Sequence, residues 1–182
     1  SSLFTGDAGS GESNARRYMI ENDLVEAIIA LPEKMFYNTG IGTFIWVLSN
    51  RKDERRKGKI QLIDATGIKT PLRKNMGEKN CELSPAQRQE IVRIFMAFEE
   101  SEISKIFPNS EFGYWKVSVQ QPLLDEQGNP VRDKKGRIQP DKSKSDTEII
   151  PFNYEGGIEA FMDAEVRPYA LGAFIDPKGT KI

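Results

Sequence analysis

The sequence predicts an α/β fold, and within that class the closing portion of a sheet, incomplete in itself and followed by mixed α and β elements. Three observations carry this reading. Leu24-Val25-Glu26-Ala27-Ile28-Ile29-Ala30-Leu31, closed by Pro32, is a near-continuous apolar run of strand length. Phe44-Ile45-Trp46-Val47-Leu48 has the same character. Such runs suit strands covered on both faces. A helix-spaced segment precedes the first run, and a third strand-like run follows the second.

Taken in order, residues 5–13 (TGDAGSGES) are small and polar and read as a loop. The following spacing predicts a helix over roughly Glu12 to Asn22, with Ala15, Tyr18 and Met19 on one side and Arg16, Arg17 and Glu21 on the other. Ile60-Gln61-Leu62-Ile63-Asp64 alternates in part and reads as a strand with one wetter face. Ser84-Pro85-Ala86-Gln87 is a helix start: serine caps, proline takes the first helical position, and glutamine closes a capping box. Ile91, Ile94, Phe95 and Phe98 then share a face. Along Phe112 to Val119, Trp115, Val117 and Val119 fall on one side of a strand. From Gln120 to Asp146 the sequence is rich in turn signals, such as Gly128-Asn129-Pro130 and Lys134-Lys135-Gly136, and reads as turns or disorder. Order resumes near Glu148, with a helix over Ile158 to Tyr169 that turns Ile158, Phe161, Met162 and Val166 inward. No internal repeat is evident. The resulting division is an α/β part over 1–66, a helix-and-strand extension over 67–123, a flexible or disordered insertion over 124–147 and a helical segment over 148–182.

Composition narrows the chemistry. Of 182 residues, 29% are charged with a formal net charge of -1, so no global field favours a polyanion and any such partner must meet a local patch. Histidine is absent, which excludes Ser-His-Asp triads, Cys-His dyads and His-ligated metal sites within this chain. One cysteine, Cys81, precludes an internal disulfide framework and suits a reducing, cytoplasmic compartment. No stretch approaches the roughly 20 apolar residues of a membrane helix, and a membrane partner is not expected. The opening Ser1-Ser2-Leu3-Phe4 does not resemble a native start, and Ile182 lacks an obvious stop; both suggest a piece of something longer.

Several residues invite a functional reading beside a structural one. Phe36 and Tyr37 sit together in the loop before the second apolar run, where aromatics mean either local packing or a ligand with a flat face. Arg51, Lys52, Arg55, Arg56 and Lys57 lie in the densest basic run, between two strands, and read as a protruding turn: a solvated loop or a contact to DNA phosphates. Gly6, Gly9 and Gly11 precede a helix, but without a preceding strand or a Walker lysine they read as a plain loop before a phosphate cradle. Lys69, Arg73, Lys74 and Lys79 are a looser basic scatter, Trp115 and Phe98 read as core, and Cys81 as structural or incidental. Asp64, at a strand end, could face a ligand crevice, though the structural reading comes first.

The order ESNARRYMIENDLVEAIIALPEKMFYNTGIGTFIWVLSN, then a basic turn and KGKIQLIDA, closely resembles the modification (M) subunit of type I restriction-modification systems. TGDAGSGES, FGYWKVSVQQPL and DTEIIPF...GGIEAFMDAEVRPYA extend the likeness to nearly the whole chain outside 124–145. The resemblance implies an S-adenosylmethionine-dependent methyltransferase acting on adenine N6 in DNA, with a Rossmann-like sheet whose last two strands form an antiparallel reversal. It also implies a specificity (S) subunit, a restriction (R) subunit and a second M subunit as partners. LVEAIIAL would be the first strand of the reversal and TFIWVLSN the inverted one. In related enzymes an aromatic at this place stacks on the extruded base, which makes Phe36 the implied stacking residue, with Tyr37 and Asn38 as weaker base or DNA contacts. The family's Asn-Pro-Pro-aromatic motif has no counterpart: Asn-Pro occurs once, at Asn129-Pro130, followed by Val131. The glycine-rich cofactor loop is missing too. The chain is therefore expected to hold no catalytic residue and no metal, and to be inactive alone. The alternative is a non-catalytic scaffold segment that docks the specificity subunit through the helices at 85–100 and 158–169 and grips the DNA backbone through the basic turn.

Overall fold

The computed structural model describes residues 4–182; the opening Ser1 to Leu3, read above as a non-native start, lies outside the described residues. The chain divides into two compact units, Tyr18–Asn109 and the described residues up to Arg17 with Ser110–Ile182. This division differs from the four segments drawn from the sequence.

A helix, α1 (Gly11–Glu21), opens the chain close to its predicted bounds. In the Tyr18–Asn109 unit, β1 (Val25–Leu31) and β2 (Thr43–Leu48) are the two apolar runs, and β3 (Lys59–Asp64) is the third. A hairpin of β4 (Thr70–Met76) and β5 (Lys79–Glu82) follows, then α2 (Pro85–Ala97) and β6 (Ser104–Pro108). The sheet order is β2-β1-β3-β6. β1 runs parallel to β3 and antiparallel to β2, with Val25 opposite Leu48 and Leu31 opposite Thr43. The expected reversal is present.

β1 alternates between fully and partly buried positions, and α2 covers the face carrying Ile29, Leu31 and Ile63 with its Ile91, Ile94 and Phe95. Ser84 starts α2 with the complete capping box read from the sequence, accepting from the Gln87 amide while the Gln87 side chain accepts from the Ser84 amide. Two expectations need correction here. β2 is not covered on both faces: it is an edge strand, and Phe44, Ile45 and Leu48 are each about half exposed. β3 is wetter only at its ends, because Gln61, its one central polar side chain, is fully buried and hydrogen-bonded.

In the other unit, β7 (Tyr114–Pro122) is flanked by β8 (Pro140–Pro151) and β9 (Phe174–Lys181), both antiparallel to it. Val117, Val119 and Ile150 bury against Met162, Val166 and Ala173, with Trp115 and Phe161 packed around them. The inward residues predicted for the last helix are these, although it begins as α3 (Gly157–Phe161) and widens into a π-helical turn, Met162–Val166. Residues 140–147, assigned above to a flexible insertion, belong to β8, where 145–147 pair with β7 and an irregularity in register follows toward Pro140. Between β7 and β8, the Asp125 and Asp133 carboxylates each accept two backbone amides, at Gln127 and Asn129 and at Lys135 and Arg137. Gly128 and Gly136 adopt the positive φ that each turn requires. Two turns on one plan thus stand where no repeat was evident in the sequence.

Candidate functional site

The loop between β1 and β2 is built on Pro32, which is fully buried, and on Met35, which packs into the core under α2. A narrow bridge between Phe36 and Thr39 then closes a tight turn with Asn38 in the left-handed region, φ 55°, a conformation that asparagine tolerates better than most residues. The turn thrusts both aromatics outward. Phe36 is 47% exposed and Tyr37 is 60% exposed. The predicted stacking ring is therefore at the surface, at the start of the reversal.

The β4–β5 hairpin braces this turn. Asn80 donates its backbone amide to the Lys34 carbonyl at 3.0 Å, and the buried Cys81 thiol donates to the Glu33 carbonyl at 3.4 Å. Tyr37 donates its hydroxyl toward the Met76 sulfur at 3.1 Å, and the Lys79 ammonium lies 5.4 Å from the Tyr37 ring centre. At Gly77 (φ 62°) an added Cβ would stand 3.4 Å from Asn38 Oδ1. Sequence reasoning missed this brace. Its signal is Gly77 between two short polar runs, obscured by Pro71, which argues against a central strand but is compatible with an isolated hairpin.

The basic segment behaves differently from its prediction. Lys52 and Arg56, expected above as DNA-backbone contacts, are buried, at 8% and 3% exposure. Lys52 donates to Asp23 at 2.5 Å and to the Lys59 carbonyl at 2.8 Å. Asp23 also accepts the Gly58 amide and the Asn109 side chain. Burial pushes the Asp23 carboxyl up, but Lys52, Gly58 and Asn109 together hold it below the usual aspartate range. Arg56 lies 4.2 Å and 4.3 Å from the Phe95 and Phe98 ring centres, 3.8 Å from Glu26, and donates to Gln61 and to the Phe95 carbonyl. Gln61 in turn donates to Ser104 and to the Ile94 carbonyl. Arg55 donates to the Met96 and Ala97 carbonyls, capping the end of α2. Lys57 pairs with Glu54 at the surface, and Arg51 is exposed. The turn, a 3-10 segment at Glu54–Arg56, is folded onto α2 and does not protrude.

Among the other candidates, Asp64 spends its carboxylate on the Thr66 amide and hydroxyl, which hold its pKa below the usual range. The Gly6 carbonyl accepts from Arg16, and a Cβ at Gly6 would stand 2.5 Å from Ser10 Oγ. That loop is closed on itself and on its helix. Asn129-Pro130 lies in the Asp125 turn. No helix among the described residues is long and apolar enough to cross a membrane.

A family model described as N-6 DNA Methylase matches residues 1–118. The chain belongs to that family. It is 33% identical over 112 residues to the MjaIX type I restriction enzyme methylase subunit of Methanocaldococcus jannaschii, covering 62% of this chain and 19% of that protein. It is 35% identical over 94 residues to the MjaVIII methylase subunit of the same organism, covering 50% and 16%. With the HindI methylase subunit of Haemophilus influenzae it shares 42% identity over 59 residues, covering 32% and 13%. A solved type I restriction-modification methyltransferase subunit from Streptococcus thermophilus superposes with a TM-score of 0.47 at 21% identity, covering 57% of this chain and 20% of that one. The N-6 DNA Methylase chain described here spans at most about a fifth of the length of these curated relatives.

Proposed function

We propose that the intact protein is the DNA-methylating subunit of a type I restriction-modification system, transferring a methyl group to adenine N6. In this reading, β1 and β2 form the closing reversal of a Rossmann-like methyltransferase sheet, and the Phe36 ring receives the target base. The observation that carries it is the combination of an antiparallel β1–β2 pair with a half-exposed Phe36 at its turn. Chemistry on N6 requires the adenine to leave its stack, and an aromatic face returns about 1–3 kcal/mol of the stacking energy given up. Tyr37, steadied by Met76 and Lys79, and Asn38 flank the same turn as auxiliary contacts.

S-adenosylmethionine supplies the methyl group in this family's reaction, and its binding residues lie outside those described above. This chain by itself is accordingly inactive, and its contribution is to position the base. Removing the ring by Phe36→Ala in the intact protein should slow methylation by roughly 5- to 150-fold, the equivalent of the stacking energy, while Phe36→Trp retains most of the rate. Unchanged single-turnover methylation by Phe36→Ala would overturn the assignment.

A second reading, in which the segment is mainly a scaffold for the specificity subunit, draws on one feature. The outward side of α2 forms a shallow groove lined by Pro85, Arg88, Gln89, Val92 and Arg93, and Val92 is 58% exposed. The two roles are compatible. The restriction subunit and a second methylating subunit complete the assembly in either reading. Arg88→Glu with Val92→Asp should abolish co-purification with the specificity subunit if this face docks it, while leaving the fold intact.

A further inference from the structure

The connection between β7 and β8, together with the first residues of β8, is an exposed arm. Its two turns are closed by Gly128 and Gly136 donating to the Asp125 and Asp133 carbonyls, and narrow bridges pair Leu124 with Pro130 and Arg132 with Ile138. Residues 123–144 carry six Lys and Arg against four Asp and Glu, a small formal excess that understates what solvent meets. Three of the four carboxylates are consumed inside the arm. Asp125 accepts the Gln127 and Asn129 amides, Asp133 accepts two amides and a two-pronged Arg137 contact, and Asp141 accepts the Ser143 amide and hydroxyl. Those bonds hold all three below the usual aspartate pKa, so they stay ionised yet turned toward their own turns. The Asp133 and Asp141 side chains are only 27% and 21% exposed. Lys134, Lys135 and Lys142 are exposed, and none of the ion pairs among the described residues involves them.

We infer that this arm is a DNA-backbone grip, with Lys134, Lys135 and Lys142 each meeting a phosphate. The inference rests on the reading that the protein acts on DNA, and it moves the phosphate contact from the buried Lys52 and Arg56 to a segment whose sequence reads as disordered. The geometry suits the task. The turns fix the backbone, Asp125, Asp133 and Asp141 are hydrogen-bonded into their own turns while Glu126 stays exposed, and the lysines keep their ammonium groups in water until a polyanion arrives. Such contacts position without reading sequence.

The test is the salt dependence of binding between the intact protein and a short DNA duplex of arbitrary sequence, followed by fluorescence anisotropy. Removing one lysine–phosphate pair flattens the slope of log affinity against log salt by about one unit. The Lys134→Ala, Lys135→Ala, Lys142→Ala variant should therefore have a slope shallower by about two to three units, with an unchanged melting temperature. Replacing the same three by Arg should keep the slope. Phe36→Ala, which removes no charge, should leave it untouched. A wild-type slope in the triple alanine variant, with the fold shown intact, overturns the proposal. A flattened slope combined with normal methylation by Phe36→Ala would retain the grip and discard the stacking reading.

Discussion

Replacing Arg56 by Ala tests whether the basic segment is internal architecture. The side chain is 4% exposed, facing a Glu26 carboxylate that is itself 14% exposed. Without it, Glu26, Gln61 Oε1 and the Phe95 carbonyl have no cationic partner at this place, and the Phe95 and Phe98 rings are uncovered. Breaking one side of a buried charged pair costs about 3–5 kcal/mol, and the guanidinium over the two rings adds about 0.5–2 kcal/mol once overlap is discounted. We expect a destabilisation of at least about 3 kcal/mol, which for a chain of this size lowers Tm by roughly 6–12 °C. Urea denaturation and thermal melting followed by circular dichroism give both numbers. Arg56→Lys keeps the charge but not the planar fork and should recover only part of the stability. The exposed Arg51→Ala should stay within about 0.5 kcal/mol of wild type. A destabilisation by Arg56→Ala below about 1 kcal/mol would refute the clamp and return Arg56 to the solvent-facing role read from the sequence.

Three further outcomes follow from the same structure. Ser84→Ala should cost about 1 kcal/mol by opening the capping box of α2, measured as a shift in urea midpoint. Gly113→Ala should cost about 1–3 kcal/mol, because its Cβ would overlap the Phe152 ring, which also lies 5.0 Å from Trp115; tryptophan emission should report the displaced ring. Asp23 has a depressed carboxyl pKa, so its stabilisation is present above the ordinary value of 3.8 and disappears as pH falls through the lower folded value. Asp23→Asn should therefore flatten the stability profile on that acid side, in denaturation series run between about pH 2 and 5.

The parts of the fold written in local pattern were legible. β1 announced itself by length and Pro32, α2 by Ser84-Pro85 and its apolar spacing, and the last helix by Ile158, Phe161, Met162 and Val166. The features that failed depend on partners distant in sequence. Whether Phe44 to Leu48 is covered depends on which strands lie beside it, and among the described residues β2 has only β1. Whether Lys52 and Arg56 face water depends on Asp23, Glu26 and the end of α2, which no window around the basic run contains. The arm after β7 looked disordered because its order comes from Asp and Gly turns, not from apolar burial. At the candidate site, the exposed aromatics were legible, while the hairpin that steadies Tyr37 was not, because Met76 and Lys79 meet it only through the tertiary fold.

Contact between Phe36 and the target base can be measured by photo-crosslinking. With the methylated position mapped and the target adenine replaced by 5-iodouracil, irradiation of the intact protein on DNA should give an adduct whose mass-spectrometric site is Phe36 or its neighbour Tyr37. Adducts confined to other segments, with the residues between β1 and β2 unmodified, would contradict the assignment of this turn as the place where the extruded base comes to rest.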